Sequence, residues 1–399
     1  MRKRHMIVGA SLATLLTGAG MAALLTSGTA NAATVFSVVP YVDLSAGSAD
    51  MLDRAIASGG VNSYTAAFII GSGCTPIWGD TLGIENSTAN ARIARAEAAG
   101  AKTIISFGGA GGAELGQSCT NQSSLQAAYQ AVINKYKVNH LDFDIEGAAI
   151  ADTGSINRRY QAIKGLESAN PGLNVSVTIP VLESGPDGNG ANFLRAAVTN
   201  GARIDVVNAM VMDYGHPVSD MAGAAKTAAA GTLSAARSAG LNFSYANIGI
   251  TPMIGNNDSG GEVVSLQNAR DIVSWAHSNG VGRLAFWSIG RDQPCAGGGV
   301  SPNCSGLGGA ALDFTKAFTG GGGGTTTPPT TRPPTTSPTT RPTTPPTTAP
   351  PGATTWVPNH AYKIGDVVTY NGVSYRCQQA HTSIVTWEPP NTPALWVRL

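Results

Sequence analysis

Eight short runs of apolar and β-branched residues alternate with alanine-rich stretches over most of the chain. The runs cover residues 35–42, 65–71, 103–109, 140–146, 174–181, 205–215, 247–255 and 283–290. The alanine-rich stretches have the composition and length of helices and cover residues 90–100, 124–136, 156–169, 221–240 and 264–280. Eight strands alternating with helices over roughly 285 residues predict a (β/α)8 barrel, an α/β fold with a parallel sheet. A doubly wound open sheet is the alternative, although no G-x-G-x-x-G follows the first run.

The N-terminus has the pattern of an export signal. Met1–His5 is basic, residues 6–25 are apolar and small, and Ala30-Asn31-Ala32 has the small-x-small form that a signal peptidase cuts. We therefore predict a signal peptide over residues 1–32 and a secreted, extracellular protein. A transmembrane anchor is disfavoured, because the run contains Gly, Ser and Thr and lacks a basic stop-transfer flank.

A second composition change divides the remaining chain. Residues 319–352 consist of a glycine run followed by repeated threonine and proline. Such a segment cannot bury a core, and its prolines favour extended polyproline II, so it is expected to be a semi-stiff linker. It separates a large domain, residues 33–318, from a small one, residues 353–399.

Charge and composition exclude several kinds of partner. Only 12% of residues are charged, and loss of Arg2, Lys3 and Arg4 with the signal peptide takes the net charge from +1 to −2. A nearly neutral chain has no electrostatic reason to bind nucleic acid or an anionic membrane. We expect neither as a partner, and we expect a monomer.

The five cysteines fit an oxidising compartment. Cys295 and Cys304 bracket a glycine-rich loop that a disulfide would hold in shape, and Cys74 and Cys119 form a plausible second pair. Cys377 is left over and is expected to be buried. No cysteine and histidine cluster has the spacing of metal ligands, so we expect no metal and no cofactor.

The fourth run contains three acidic residues that point to catalysis. Alternate residues of a strand face the same way, so Asp142, Asp144 and Glu146 point together, and in a barrel they line the interior. Burial and like charge should raise at least one pKa and leave a protonated acid at neutral pH. Glu146 is nearest the C-terminal end of the strand, where barrel active sites open, so it is predicted to be the general acid. A solvated strand face and a divalent metal site are the less favoured alternatives.

This triplet resembles the D-x-D-x-E signature of glycoside hydrolase family 18, the chitinases and endo-N-acetylglucosaminidases. Ser106-Phe107-Gly108-Gly109 resembles the family's S-x-G-G at the third strand, and Met210–Tyr214 resembles its M-x-Y-D at the sixth. Trp287 resembles the tryptophan that forms the floor of the sugar subsite. The resemblance covers residues 35–318.

The sequence departs from the family pattern at two places. Asn139-His140 stands where the family usually has D-G, and we expect this to matter little because these positions lie deeper in the strand. At the sixth strand Met212 occupies the family's tyrosine position, while Tyr214 follows Asp213 by one residue. Tyr214 is thus displaced from the family's tyrosine position, whereas Asp213 matches the family's aspartate.

The resemblance implies a retaining mechanism in which the substrate's own acetamide is the nucleophile. Glu146 would protonate the glycosidic oxygen, Asp144 would orient the acetamide, and Asp142 would share a proton with Asp144. Asp213 and Tyr214 would hydrogen-bond the acetamide or the attacking water. The substrate-binding residues that we predict in this domain are Trp287, Met212 and Tyr41, with barrel filling as the alternative for the last two.

The C-terminal region reads as a small all-β module. Residues 366–377 form two alternating strands around Asn371-Gly372, which is the composition of a tight hairpin turn. The region resembles the family 5 carbohydrate-binding modules that bind chitin. That resemblance implies that Trp387 stacks on sugar, with Thr382, Pro389 and Pro393 beside it. Trp356 and Trp396 are expected in the core or wall.

Together these features predict a secreted chitinase that acts within chains of β-1,4-linked N-acetylglucosamine. One alternative is an endo-β-N-acetylglucosaminidase that acts on N-glycans. The other is a non-catalytic chitin-binding lectin, which the intact Glu146 disfavours.

Overall fold

The structure is a computed structural model of the 399-residue chain. It describes residues 37–46, 50–79, 82–295, 299–320, 354–357, 360–378, 381–383, 388–389, 392 and 395–399. The predicted signal peptide and almost all of the predicted linker lie outside these ranges. In the described part of the chain, no helix is long and apolar enough to cross a membrane.

A single large sheet dominates the first domain. Its elements, with one separate hairpin (β11 and β12), are β1 (Ser37–Val38), β2 (Tyr41–Asp43), β3 (Ser63–Ser72), β4 (Thr75–Trp78), β5 (Leu82–Gly83), β6 (Lys102–Gly108), β7 (His140–Asp144), β8 (Asn174–Pro180), β9 (Val206–Met210), β10 (Ile248–Thr251), β11 (Gly255–Asn256), β12 (Val263–Val264) and β13 (Arg283–Leu284). Neighbours run in the order β1-β13-β10-β9-β8-β7-β6-β3, and all of these pairs are parallel.

The sheet closes on itself through its first strand. β1 pairs with β13, and β2, which continues the same strand, pairs with β3. The backbone between them stays bonded, since the Val39 N–H donates to the Leu284 carbonyl at 2.8 Å. Eight parallel strands in a closed ring confirm the (β/α)8 barrel and exclude the open doubly wound sheet.

Nine helices are present in the described part of the chain. They are α1 (Met51–Ser58), α2 (Ser87–Ala98), α3 (Leu115–Ser118), α4 (Gln122–Tyr136), α5 (Thr153–Ala169), α6 (Gly188–Asn200), α7 (Met221–Ser238), α8 (Leu266–Asn279) and α9 (Asp313–Thr319). Short polar side chains start most of the long ones, as where Asp152 caps α5 and Ser265 caps α8. α6 was not predicted because its first turn, residues 188–190, is glycine-rich.

Several of the predicted strands end earlier than their apolar runs, and the fourth and sixth do so at the candidate site. The run at 205–215 forms a strand only as far as Met210, and Val211 and Met212 are buried outside it. Asp213 has φ 51°, a left-handed conformation that no strand accommodates. The run at 140–146 ends its strand at Asp144. In both cases the chain leaves the barrel at its C-terminal rim, where the candidate site lies.

Both predicted disulfides are present, and their pairing is confirmed. Cys74 is bonded to Cys119, and Cys295 to Cys304. Cys377 lies outside these two bonds and is buried, as expected.

The C-terminal domain is a small β structure. Its strands are β14 (Thr354–Thr355), β15 (Ala361–Tyr362), β16 (Val367–Tyr370), β17 (Val373–Cys377), β18 (His381–Thr382) and β19 (Trp396–Arg398). β16 and β17 form the predicted hairpin, and Asn371 and Gly372 have the positive φ angles that this turn needs. Trp356 and Trp396 are buried in the core of this domain, as predicted.

Candidate active site

The acidic triplet follows β7 to the rim of the barrel. Asp142 is fully buried and Asp144 is 4% exposed, while Glu146 lies two residues beyond the strand and is half-buried. The intervening Leu141 and Phe143 are fully buried on the other face, in the core beneath the helices. The alternation that the sequence predicts is therefore present, and burial increases from Glu146 down to Asp142.

Hydroxyl groups from three other strands surround Asp142. Ser106 donates to its Oδ2 at 2.7 Å and Tyr41 to the same atom at 2.9 Å. Ser176 donates to its Oδ1 at 2.5 Å, and the Thr178 hydroxyl lies 3.0 Å from that oxygen. Both oxygens of the carboxylate are thereby satisfied, and the carboxylate is fixed in position.

The carboxyl groups of Asp144 and Glu146 both have raised pKa values and act on each other. Burial raises the pKa of Asp144 well above its usual range, and the negative charges of Glu146 and Asp142 add to this effect. Burial, followed by the charge of Asp213, raises the pKa of Glu146 to about 7. The hydrogen bond between the two carboxyl groups raises the pKa of Asp144 and lowers that of Glu146, so the two groups titrate as a pair.

Asp213 belongs to the same electrostatic group. Its side chain as a whole is exposed, but its carboxyl group is partly withdrawn from water, which is the main cause that raises its pKa to about 6. The backbone N–H of Ser259, in the loop between β11 and β12, donates to its Oδ1 at 2.8 Å. Its charge acts on Glu146, and its role toward the substrate stays a prediction.

Tyr214 and Met212 are both largely buried, each 9% exposed. The charges that act on the Tyr214 hydroxyl are those of Glu262 and Glu183, and this hydroxyl has no hydrogen-bond partner among the described residues. No described hydrogen bond joins either residue to the acidic triplet, so their predicted roles toward the substrate stay predictions.

An aromatic platform lies beside the acids. Trp287 is half-buried, and its ring stacks on Phe68 with centroids 5.5 Å apart and planes inclined by 16°. Tyr41 packs against both rings. Tyr41 is itself only 2% exposed and bonds Asp142, so the structure assigns it to support of that carboxylate instead of the predicted contact with substrate.

The last glycine of the S-x-G-G segment makes room for this platform. A Cβ atom on Gly109 would lie 2.6 Å from the Phe68 ring, and its φ of 86° also favours glycine. The segment thus serves the site twice, because Ser106 holds Asp142 and Gly109 admits the ring that supports Trp287.

The predicted sugar contacts of the C-terminal module are only partly described. Trp387 and Pro393 lie outside the described residues, and Thr382 is described only as part of β18. Pro389 is buried. For metals, the described residues include no group of three or more His, Cys, Asp or Glu side chains that could hold an ion.

Several site residues were not predicted. Ser176 and Thr178 alternate with three apolar residues in their run, as the acids do in theirs, and this pattern was available in the sequence. Phe68 stands in the middle of the apolar run at 65–71 and looked like core. Ser259 acts through its backbone N–H, for which a side-chain pattern gives no signal.

The chain is similar to one known domain family, to two known proteins and to a solved structure. Residues 355–397 match the family 5/12 carbohydrate-binding module. A probable bifunctional chitinase/lysozyme from Escherichia coli (strain K12) is 34% identical over 288 residues, 67% of this chain and 32% of that protein. Endochitinase 11 from Metarhizium anisopliae is 33% identical over 274 residues, 64% of this chain and 52% of that protein. The chain therefore spans about a third and about half of the length of these relatives.

The third relative is a solved structure, that of catalytic site mutants of active domain 2 of chitinase from Pyrococcus furiosus. Its TM-score to this chain is 0.66 and its sequence identity is 30%. The match covers 71% of this chain and 94% of that one.

Proposed function

Since the chain belongs to the chitinases of glycoside hydrolase family 18 and carries a family 5/12 carbohydrate-binding module, we propose that it hydrolyses β-1,4-N-acetylglucosamine linkages in chitin and chitooligosaccharides. The observation that carries this proposal is the coupled pair of Asp144 and Glu146 at the barrel rim. Glu146 has a pKa of about 7, so near neutral pH it can give up a proton and take it back.

The proposed reaction begins with proton transfer from Glu146 to the glycosidic oxygen. As the bond from that oxygen to the anomeric carbon breaks, the carbonyl oxygen of the substrate's 2-acetamido group attacks the same carbon and forms an oxazolinium ion. Water then attacks the anomeric carbon and gives a proton to Glu146, while the bond from that carbon to the acetamide oxygen breaks and the acetamide is restored. The anomeric configuration is retained because the carbon is inverted twice.

Asp144 and Asp142 stabilise the cation in this scheme. Asp144 accepts a hydrogen bond from the N–H of the acetamide, and Asp142 shares a proton with Asp144. Asp142 is positioned for that exchange by its fixed hydroxyl contacts. In this scheme the carboxyl group of Asp213 lies at the mouth of the site and hydrogen-bonds the acetamide or the attacking water.

The aromatic side chains favour cleavage within a chain at an open site. The barrel domain has only three tryptophans. Trp78 is fully buried and bonds Tyr136, and Trp275 packs against Tyr245, so Trp287 alone stands beside the acids. A single sugar platform supports endo-acting cleavage with low processivity.

We also propose that the protein is exported, that it works as a monomer without a cofactor, and that its C-terminal module holds it on chitin. The two disulfides support an oxidising compartment. A tethered module raises the effective concentration of the barrel at an insoluble surface.

Hydrolysis of chitin hexasaccharide, with product anomers followed by NMR, tests the proposal. Wild type should release the β-anomer first, and Glu146→Gln should be inactive. Glu183→Gln is the matched control, because Glu183 is an exposed rim acid paired with His216 and should leave activity intact.

Each of the other outcomes would indicate a different mechanism or activity. Early α-anomer would mean inversion by a second carboxylate and would reject the acetamide mechanism. Cleavage of a high-mannose N-glycan in preference to chitin would indicate an endo-β-N-acetylglucosaminidase. Binding to chitin without any hydrolysis by wild type would indicate a lectin.

A further inference from the structure

A buried asparagine contacts two of the hydroxyl groups that hold Asp142. Asn208 lies on β9, is fully buried, and is aligned with Thr178 on β8. Its side-chain Nδ2 donates to the Thr178 hydroxyl at 3.1 Å and to the Tyr41 hydroxyl at 3.4 Å. An amide nitrogen carries two hydrogens, so it can serve both oxygens at once. Asn208 therefore reaches the carboxyl group of Asp142 through these two hydroxyls.

The other end of the amide is held from the next strand. Thr251, on β10 and 2% exposed, donates to Oδ1 of Asn208 at 2.8 Å. Gly249 on the same strand leaves room for the amide, because a Cβ atom there would lie 2.4 Å from that oxygen. A hydroxyl that donates to Oδ1 keeps Nδ2 turned toward β8. β10 thus fixes which end of the amide faces Thr178.

The orientation of the amide decides where two hydroxyl hydrogens point. The hydroxyl oxygens of Thr178 and Tyr41 lie 2.8 Å apart, and either can donate to the other. Both also lie within hydrogen-bond distance of Asp142. An NH2 group only donates, so it offers neither hydroxyl an acceptor and occupies a lone pair of each. An amide oxygen in the same place would instead accept a hydrogen and take it away from Asp142.

Asp142 has an acceptor position for each of these hydrogens. An ionised carboxylate has about four such positions, two on each oxygen. Ser106 and Tyr41 donate to Oδ2, and Ser176 and Thr178 donate to Oδ1. Loss of one of these hydrogens leaves a buried carboxyl oxygen short of a donor, which is unfavourable.

We propose that the amide of Asn208 directs the hydroxyl hydrogens of Thr178 and Tyr41 onto Asp142. Thr251 acts one step further away, because it fixes the orientation of the amide. Asn208 and Thr251 are positioning residues, since each acts through other side chains of the barrel interior. With its donors in place, Asp142 is held on the strand face that also carries Asp144. The proposal rests on the proposed function only for its kinetic test.

Steady-state kinetics of the full chain on chitin hexasaccharide distinguish this role from a structural one. Thr251→Val keeps the shape of the side chain and removes the hydroxyl, so the amide is free to turn over. kcat should fall about five- to tenfold, the effect of one lost hydrogen bond, while KM stays nearly unchanged. Thr251→Ser keeps the hydroxyl and should restore most of the kcat that the valine variant loses. Asn208→Leu removes both ends of the amide and should lose at least as much kcat as Thr251→Val.

Thr232→Val is the matched control. Thr232 is also a buried threonine, but it lies on α7, and its hydroxyl donates to the Ala228 carbonyl of the same helix at 2.8 Å. The substitution removes one buried hydrogen bond, as Thr251→Val does. In the control, kcat should stay at the wild-type value whatever the change in melting temperature. The same result in Thr251→Val would mean a purely structural role and would reject the proposal.

The orientation of the amide can also be measured without any activity. In protein labelled with 15N-asparagine, the NMR signals of the Asn208 NH2 group are assigned by their loss in Asn208→Asp. Their nuclear Overhauser contacts in wild type should reach the side chain of Thr178 and not that of Thr251. In Thr251→Val, contacts to the side chain at position 251 should appear. Wild-type NH2 hydrogens that face Thr251 overturn the proposal even if wild type proves inactive on chitin, and so does a serine variant with as little kcat as the valine variant.

Discussion

Asp213 and Glu146 offer a direct electrostatic test of the site. The pKa of Glu146 rises from 4.5 to about 7, and two causes raise it, burial first and the negative charge of Asp213 second. Asp213 has a pKa of about 6, so it is ionised, and its charge acts almost fully, where Glu146 titrates. As the smaller of the two causes, the charge of Asp213 contributes about one pH unit to the rise in the pKa of Glu146. Asp213→Asn should therefore bring the pKa of Glu146 to about 6.

The sign of the effect on activity follows from the role of Glu146. As a general acid it works protonated, so kcat/KM falls as the pH rises through its pKa, and this fall is the basic limb of the profile. Asp213→Asn should move that limb down by about one pH unit. Asparagine keeps an oxygen for the Ser259 N–H, so the loop geometry is preserved.

The assay is kcat/KM on a short chitooligosaccharide between pH 4 and 9 in steps of about half a unit, wide enough to bracket a limb near 7. Asp258→Asn is the control, because Asp258 is an exposed neighbour that acts on Asp213 but does not act on Glu146. The basic limb of the Asp258→Asn profile should stay in place. A limb that stays near pH 7 in Asp213→Asn, or one that moves equally in Asp258→Asn, would refute the electrostatic coupling.

Two further predictions concern the platform and the disulfides. Gly109→Ala should raise KM severalfold and alter tryptophan fluorescence by displacing Phe68, whereas Gly111→Ala, whose new Cβ meets nothing within 4 Å, should leave both unchanged. In thermal unfolding, loss of the Cys74–Cys119 bond, which joins residues 45 apart, should cost about 4 kcal/mol, and loss of the Cys295–Cys304 bond, 9 apart, about 2.5 kcal/mol. Equal losses for the two bonds would contradict the loop-entropy argument.

The barrel could be predicted from the sequence because apolar runs and helical stretches alternate regularly along the chain. Each parallel strand is buried on both faces and so appears as an apolar run, and each long helix lies between two such runs. The strand ends could not be predicted in the same way. Val211 and Met212 continue the apolar pattern of β9 although the backbone turns away before Asp213, because burial at the rim does not require a strand.

The acids of the site could be predicted, but their supports mostly could not. Asp142, Asp144 and Glu146 share one face of one strand, which a period of two reveals. The residues that hold them come from other strands, so their contacts depend on the register between strands. Tyr41 is an example. Its position at a strand end suggested that it lines the cleft, but in the structure its hydroxyl donates to Asp142.

The depth of each acid in the barrel explains why one strand can hold three carboxyls with different tasks. At the inner end, Asp142 receives hydroxyl donors from three strands, which hold its carboxyl group in position. At the outer end Glu146 has no such set, and burial with the charge of Asp213 keeps its proton available near pH 7. Asp144 lies between them, without a partner for its Oδ1 among the described side chains, and is therefore the member that is free to change partners. Asp144 thus lies between a carboxyl group that is held in position and one that can exchange a proton near pH 7, so it can change hydrogen-bond partners during the reaction.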